Sequence, residues 1–252
     1  MRKGIGWALA LTMTTIGTSG VAKAQVARPG GGLQARDFIR PDANVTADRL
    51  NIRGMIRPDI TTTDGLRTYS RFIMVGRCMA GLGRKGVAEA LASPMNAASE
   101  RRQILVSQER LSSCQVTGMP NTLTLVRGVL SEGMYHKLSD EKAVDPGSPL
   151  STSQIVRWSS EQNALIAPLL PADRGLTLTV DCLVVRQPQL ADQILAAGHG
   201  SSAEQVGINT LLKGSPQCVP DGRSPSISRS YMRAFIASSA YRLVRWRAGE
   251  TS

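Results

Sequence analysis

The chain has 252 residues, 42% of them hydrophobic but only 4% aromatic, and 30 Lys and Arg against 19 Asp and Glu give a formal net charge of +11. That length can bury a sizeable core, and no segment after the first residues is apolar for long enough to span a bilayer. The basic residues are scattered and form no run of five or more, the pattern of a solvated basic surface rather than a nucleic-acid footprint.

The first segment has the form of an export signal. Arg2 and Lys3 precede a short apolar stretch from Ile5 to Ile16, and Ala22-Lys23-Ala24 supplies the small-x-small pattern of a cleavage site. Cleavage is expected before Gln25, which makes residues 1–24 a signal peptide and places the mature chain in the periplasm or outside the cell. The apolar stretch is well short of the roughly 20 residues an anchor needs. Loss of Arg2, Lys3 and Lys23, with no acidic residue, lowers the net charge from +11 to +8. Export argues against nucleic acid as a partner; an envelope or extracellular protein, or an anionic lipid or cell-wall polymer, suits a basic exported chain better.

Residues 25–66 read as a flexible leader rich in Arg, Pro and Gly. Pro29-Gly30-Gly31-Gly32, Arg40-Pro41-Asp42 and Arg57-Pro58-Asp59 punctuate it, and its apolar residues keep no period. A first helical unit is expected over 67–138. The run from Tyr69 to Ala80 fits strand or helix. Val87–Ala92 predicts a short helix stopped near Ser93-Pro94, and Ala97–Leu111 predicts another with Glu100 at its positive end. Leu123, Val126, Leu130 and Met134 recur at helical steps and predict a third.

Residues 139–174 read as a linker, polar around Asp145–Pro149 and then helical from Ser151 towards Leu169-Leu170, with Trp158 and the two leucines packing across both units. A second unit is expected over 175–247. Leu176–Val185 alternates like a strand, but is read as helix by analogy with the run around Cys78. Pro188 begins a helix that Gly198 ends, Ser201-Ser-Ala-Glu204 forms a capping-box pattern, and Gly214 closes that helix. The last helix is expected from Ser224-Pro225 through Val244.

Cys78/Cys114 and Cys182/Cys218 are each separated by 36 positions. Four cysteines in an exported chain imply two disulfides, and three connectivities are open. With the cysteines superposed, Leu91/Leu195, Ala92/Ala196, Glu100/Glu204 and Ile104/Ile208 also coincide. A two-residue shift then aligns Arg127–Tyr135 with Arg233–Tyr241. Read as an internal repeat, the chain should close equivalent bonds, Cys78–Cys114 and Cys182–Cys218. The expected fold is therefore mainly α: two related, disulfide-stapled helical units packed together behind a leader. With nine aromatic residues left after loss of Trp7, close helix contacts through small residues such as Gly128, Gly133, Ala234 and Ala240 are expected.

The pattern Cys78…Leu91-Ala92…Glu100…Cys114…Arg127–Tyr135, with its second copy through Tyr241, resembles a group of exported, duplicated alphaproteobacterial proteins without an assigned activity. The resemblance spans about residues 70–138 and 176–245. It implies architecture and compartment and transfers no site. The second copy departs from it where Ser238 stands in place of Glu132.

Motifs for chemistry are sparse. No C-x-x-C is present for redox work or zinc, no G-x-S-x-G elbow in the mature chain, and no G-x-x-x-x-G-K-[ST] or H-E-x-x-H. His136 reads as a residue near a helix end and His199, between two glycines, as a turn residue. No catalytic, metal or cofactor-binding residue is assigned. Arg127, Tyr135, Arg233 and Tyr241 are the repeated polar marks, serving either packing or a pair of grooves for an anionic or peptide partner. The function expected is binding of an envelope or extracellular component. The alternatives are attachment to an anionic surface and an enzyme of unrecognised type.

Overall fold

The computed structural model describes residues 63–110, 112–114, 122–141, 147–219 and 227–249. The expected signal peptide, and the expected leader as far as residue 62, lie outside the described residues. The described residues form α1 (Thr63–Leu82), α2 (Arg84–Ala92), α3 (Ala98–Arg110), α4 (Leu123–Asp140), α5 (Thr152–Ile166), α6 (Pro171–Arg186), α7 (Pro188–Ala196), α8 (Ser202–Gly214) and α9 (Arg229–Arg247). No strand occurs among them. The fold is mainly α, as the sequence predicts.

Both segments follow one order. A long cysteine-bearing helix (α1, α6) leads to a nine-residue helix (α2, α7) and a thirteen-residue helix (α3, α8); a 3-10 turn ending at the second cysteine then precedes a terminal helix (α4, α9). Cys78 bonds Cys114 and Cys182 bonds Cys218, so each disulfide ties the leading helix of a segment to the turn before its last helix.

The helical reading of the Cys182 run is correct, and packing says why. Leu176, Val180, Leu183 and Val184, at helical spacing, are buried, while Leu178 of the apparent alternation is 42% exposed. α6 also starts earlier than expected, at Pro171, whose fixed φ suits the first helical position. α1 likewise begins at Thr63, inside the expected leader. The last helix begins later than expected: Ser228 caps it, its Oγ accepting from Tyr231 N, and α9 runs from Arg229. α7 ends at Ala196 without help from Gly198; the left-handed residue of that turn is Gly200 (φ 81°).

α4 and α9 are the centre of the body. Nearly every residue from Leu123 to Tyr135, and all from Met232 to Val244, is buried, because each helix is enclosed on more than one side. α4 packs on both α1 and α9, and α9 also packs on α6 and α7. Small residues set these approaches: a Cβ at Gly128 would collide with the Ala234 side chain, and one at Gly133 with the Gly76 backbone. A single apolar core runs through both segments.

α5 is launched by a full capping box, Ser151 Oγ accepting from Gln154 N and Gln154 Oε1 from Ser151 N. Trp158 is buried in the main core, as expected. Leu169 joins Met95, Leu165 and Ile166 in a second small cluster, whereas Leu170 is 47% exposed and belongs to neither buried cluster.

Candidate functional site

The four repeated polar marks are interior residues. Arg127, Tyr135, Arg233 and Tyr241 are each at most 4% exposed, so none is a surface mark. The two arginines each organise a buried centre, built from the same parts.

In the first segment, Arg127 of α4 donates from Nη1 to Glu100 Oε1 at 2.5 Å and to the Ser93 carbonyl at 3.3 Å, and from Nη2 to the Leu91 carbonyl. In the second, Arg233 of α9 donates from Nη1 to Glu204 Oε1 at 2.9 Å and to the Ala197 carbonyl at 3.0 Å, and from Nη2 to the Leu195 carbonyl at 2.8 Å. The short helices α2 and α7 thus present their final carbonyls to a guanidinium, which satisfies groups that a helix end leaves orphaned.

The two glutamates match as well. Glu100 Oε2 accepts from Asn96 N (2.6 Å) and Glu204 Oε2 from Gly200 N (2.7 Å). Asn96 and Gly200 both lie in the left-handed region, at φ 62° and 81°, and Asn and Gly are the residues that tolerate it best. The expected capping box is therefore half made: Ser201 Oγ accepts from Glu204 N, but the glutamate carboxylate turns inward instead of returning to Ser201.

The centres differ in their outer partners. Arg233 takes a second carboxylate across the body, Nε donating to Glu132 Oε2 at 2.9 Å and Nη2 to Glu132 Oε1 at 2.8 Å. His199 is buried beside Glu204, with Nδ1 2.8 Å from its Oε1 and Nε2 2.9 Å from Ser230 Oγ, and its ring stands edge-on to Tyr69. Burial alone would raise Glu132; His136 at 3.7 Å and Arg233 outweigh it and hold the carboxyl below its usual range. Burial would likewise raise Glu204, but His199, Arg233 and the Gly200 amide hold it low. Burial pushes the Tyr69 phenol well up. At neutral pH the centre is a set of ionised carboxylates clamped by one guanidinium.

Sequence reasoning missed several of these residues. His199 sits in a turn, as predicted, but its side chain is part of a buried network. His136 lies near the end of α4, as expected, but its Nε2 is 2.8 Å from Arg77 Nη2, a contact the sequence did not indicate. At the equivalent place in the second segment Arg242 pairs with Asp181, bonds Gln162 and lies over the Trp158 ring, tying α5 to α6 and α9. The available signal was the position of Arg233 and Arg242, the two charges in the otherwise uncharged stretch from Met232 to Val244. Tyr135 donates to Asp192 Oδ1 at 2.8 Å, and Tyr241 carries Arg245 over its ring.

Gly81-Leu82-Gly83-Arg84-Lys85-Gly86 also spells G-x-G-x-x-G, a pattern that escapes the sequence reading. It joins two helices instead of following a strand, so the context that gives the pattern meaning for a dinucleotide is missing. Among the described residues, no three His, Cys, Asp or Glu side chains are grouped to hold a metal ion, and no helix is long and apolar enough to cross a membrane.

One outer face stands apart. Arg67, Arg71, Met74, Arg77 and Leu82 follow one flank of α1 and are exposed, Met74 at 63% and Leu82 at 64%. On α6, the counterparts of Arg77 and Gly81 are Asp181 and Val185; both are buried where the 150–166 segment packs, with Leu150 N donating to the Val185 carbonyl. No protein-family model matches the chain, and neither the curated proteins nor the solved structures compared with it give a match.

Proposed function

We propose that this is an exported protein that acts by binding, and that the exposed flank of α1 takes an acidic protein of the cell envelope. The observation that carries this reading is the exposure of Met74 and Leu82 among Arg67, Arg71 and Arg77. Large apolar side chains set in a basic field suit a partner whose apolar contact is ringed by carboxylates. The two disulfides suit an oxidising compartment, and the matching arginine centres support reading the segments as two copies of one unit. In that reading the 150–166 segment covers the second copy's flank only around Asp181 and Val185, and leaves the corresponding end of the first copy's flank, at Arg77, for a partner. The ionisable groups of the interior are engaged in holding helices together, which favours binding over catalysis.

The test is in-cell photo-cross-linking from Met74 and Leu82, with the equally exposed Val206 of α8 as control. A discrete adduct to an acidic envelope protein from both α1 positions, absent from Val206 and lost in the R67E/R71E/R77E variant, is the expected result. Equal labelling from all three positions, or none, would overturn it. Sedimentation of the protein with phosphatidylglycerol vesicles, abolished by salt, would reassign the flank to an anionic lipid surface.

A further inference from the structure

The α1–α4 contact pairs an arginine with a histidine where its counterpart pairs an arginine with a carboxylate. In the second segment Arg242 of α9 holds Asp181 of α6, both at most 5% exposed. The equivalent positions in the first are His136 of α4, with its side chain 20% exposed, and the exposed Arg77 of α1. Arg77 Nη2 lies 2.8 Å from His136 Nε2. A guanidinium can only donate, so this nitrogen carries a lone pair, and the imidazole is neutral with its proton on Nδ1. Protonation puts a hydrogen on the same nitrogen and a second positive charge beside Arg77. An aspartate–arginine pair has no such failing near neutral pH. The other groups around His136 are accounted for. On α4, Glu132 Oε1 is 3.7 Å from the same Nε2, and the edge-on Tyr135 turns its hydroxyl to Asp192. From α9, Arg233 stands behind Glu132 and is bonded to it. From α2, Arg84 is bonded to Glu141, which also faces Lys137.

We propose that His136 is a proton switch for Arg77: neutral, it holds the guanidinium against α4; protonated, it turns to Glu132 and releases Arg77 to the exposed flank of α1. Glu132 can take the new bond, because a carboxylate oxygen that already accepts from Arg233 has a further lone pair. Arg77 then joins Arg67 and Arg71 on the flank. The functional consequence rests on the reading of that flank as the surface for an acidic protein. Acidification adds an imidazolium and a released guanidinium to it, and so tightens binding. The chain has two histidines, and the other, His199, has a side chain only 1% exposed. His136 is therefore the imidazole that can change the charge of this surface between about pH 5 and 8.

The disulfide-bonded chain is titrated from about pH 8 to about pH 5 by NMR, following the His136 ring and the Nε–H groups of Arg77 and Arg71. The expected result is one shared midpoint for His136 and Arg77, with Arg71 unmoved. His136→Gln, whose amide oxygen accepts from Arg77 at every pH, abolishes the Arg77 transition. Binding of poly-L-glutamate, whose carboxylates stay mostly ionised, is then compared at about pH 7.5 and about pH 5.5 at fixed ionic strength. It should tighten at least about threefold in the wild type and stay at the weaker level in His136→Gln. Arg77→Gln loses most of that gain and serves if the first variant does not fold. An Arg77 signal that ignores the His136 titration, or moves alike in His136→Gln, would overturn the switch and leave the flank reading standing. Coupled signals with binding equal at both pH values would overturn the release of Arg77 to the flank. Coupled signals with no poly-L-glutamate bound at either pH would uphold the switch and sink the flank reading.

Discussion

Glu132 and Arg233 meet through two parallel hydrogen bonds of 2.9 and 2.8 Å across 101 positions of chain, which fastens α4 to α9 where both helices are buried. Removing one member of such a pair leaves an uncompensated buried charge. Glu132→Leu is expected to cost about 3 kcal/mol, at the low end of the range for a broken buried pair because Arg233 retains Glu204 and its carbonyls. Ser238→Ala, at the equivalent position, loses no hydrogen bond and should change stability by less than about 0.5 kcal/mol. Urea unfolding of the two variants measures both values.

Acid should loosen the same centre. Glu132 and Glu204 have folded pKa values below the ordinary 4.5, so their contribution is fully present above that value and is lost as pH falls through the folded values. Asp173, raised by burial, works in the opposite direction. The Tm is predicted to drop steeply below about pH 4.5. In Glu132→Gln, whose amide cannot titrate, part of that slope should disappear, as read from Tm against pH.

Close helix approach makes two glycine substitutions differ in sign. Gly128→Ala puts a methyl into the Ala234 side chain and should destabilise by about 1–3 kcal/mol. Gly175→Ala, within α6 and with open space around the added methyl, should stabilise by about 0.5–1 kcal/mol. Calorimetry of the pair checks both directions.

Each disulfide closes a loop across 36 positions, worth about 4 kcal/mol on the chain-entropy relation. Non-reducing peptide mapping should recover only the Cys78–Cys114 and Cys182–Cys218 pairs. Reduction should lower Tm by ten degrees or more, taking roughly 2–4 °C per kcal/mol for a body of this size. A Tm that ignores reductant would remove the stapling role.

Much of the fold is legible in the sequence because the signals are local. Proline at the first position of α7, the Ser151 and Ser201 caps and the three- and four-residue apolar steps all act within a turn or two. The equal cysteine spacing adds a long-range constraint that selects the pairing. The site is less legible. That Arg127 and Arg233 are interior follows from no local rule, since each depends on helix-end carbonyls about 30–40 residues away in sequence and, for Arg233, on Glu132 in the other segment. The substitution of Ser238 for Glu132 reads in the sequence as a reason to discount the carboxylate. In the structure it is the difference between a filled centre and one with an open guanidinium edge.

A crystal structure of the protein tests the central claim most directly, through superposition of residues 69–135 on residues 173–241. The account predicts that Glu100 falls on Glu204 and Arg127 on Arg233, each arginine bonded to the end of its own nine-residue helix. Arginine side chains that point to solvent, or segments whose helices do not superpose in this order, would contradict it.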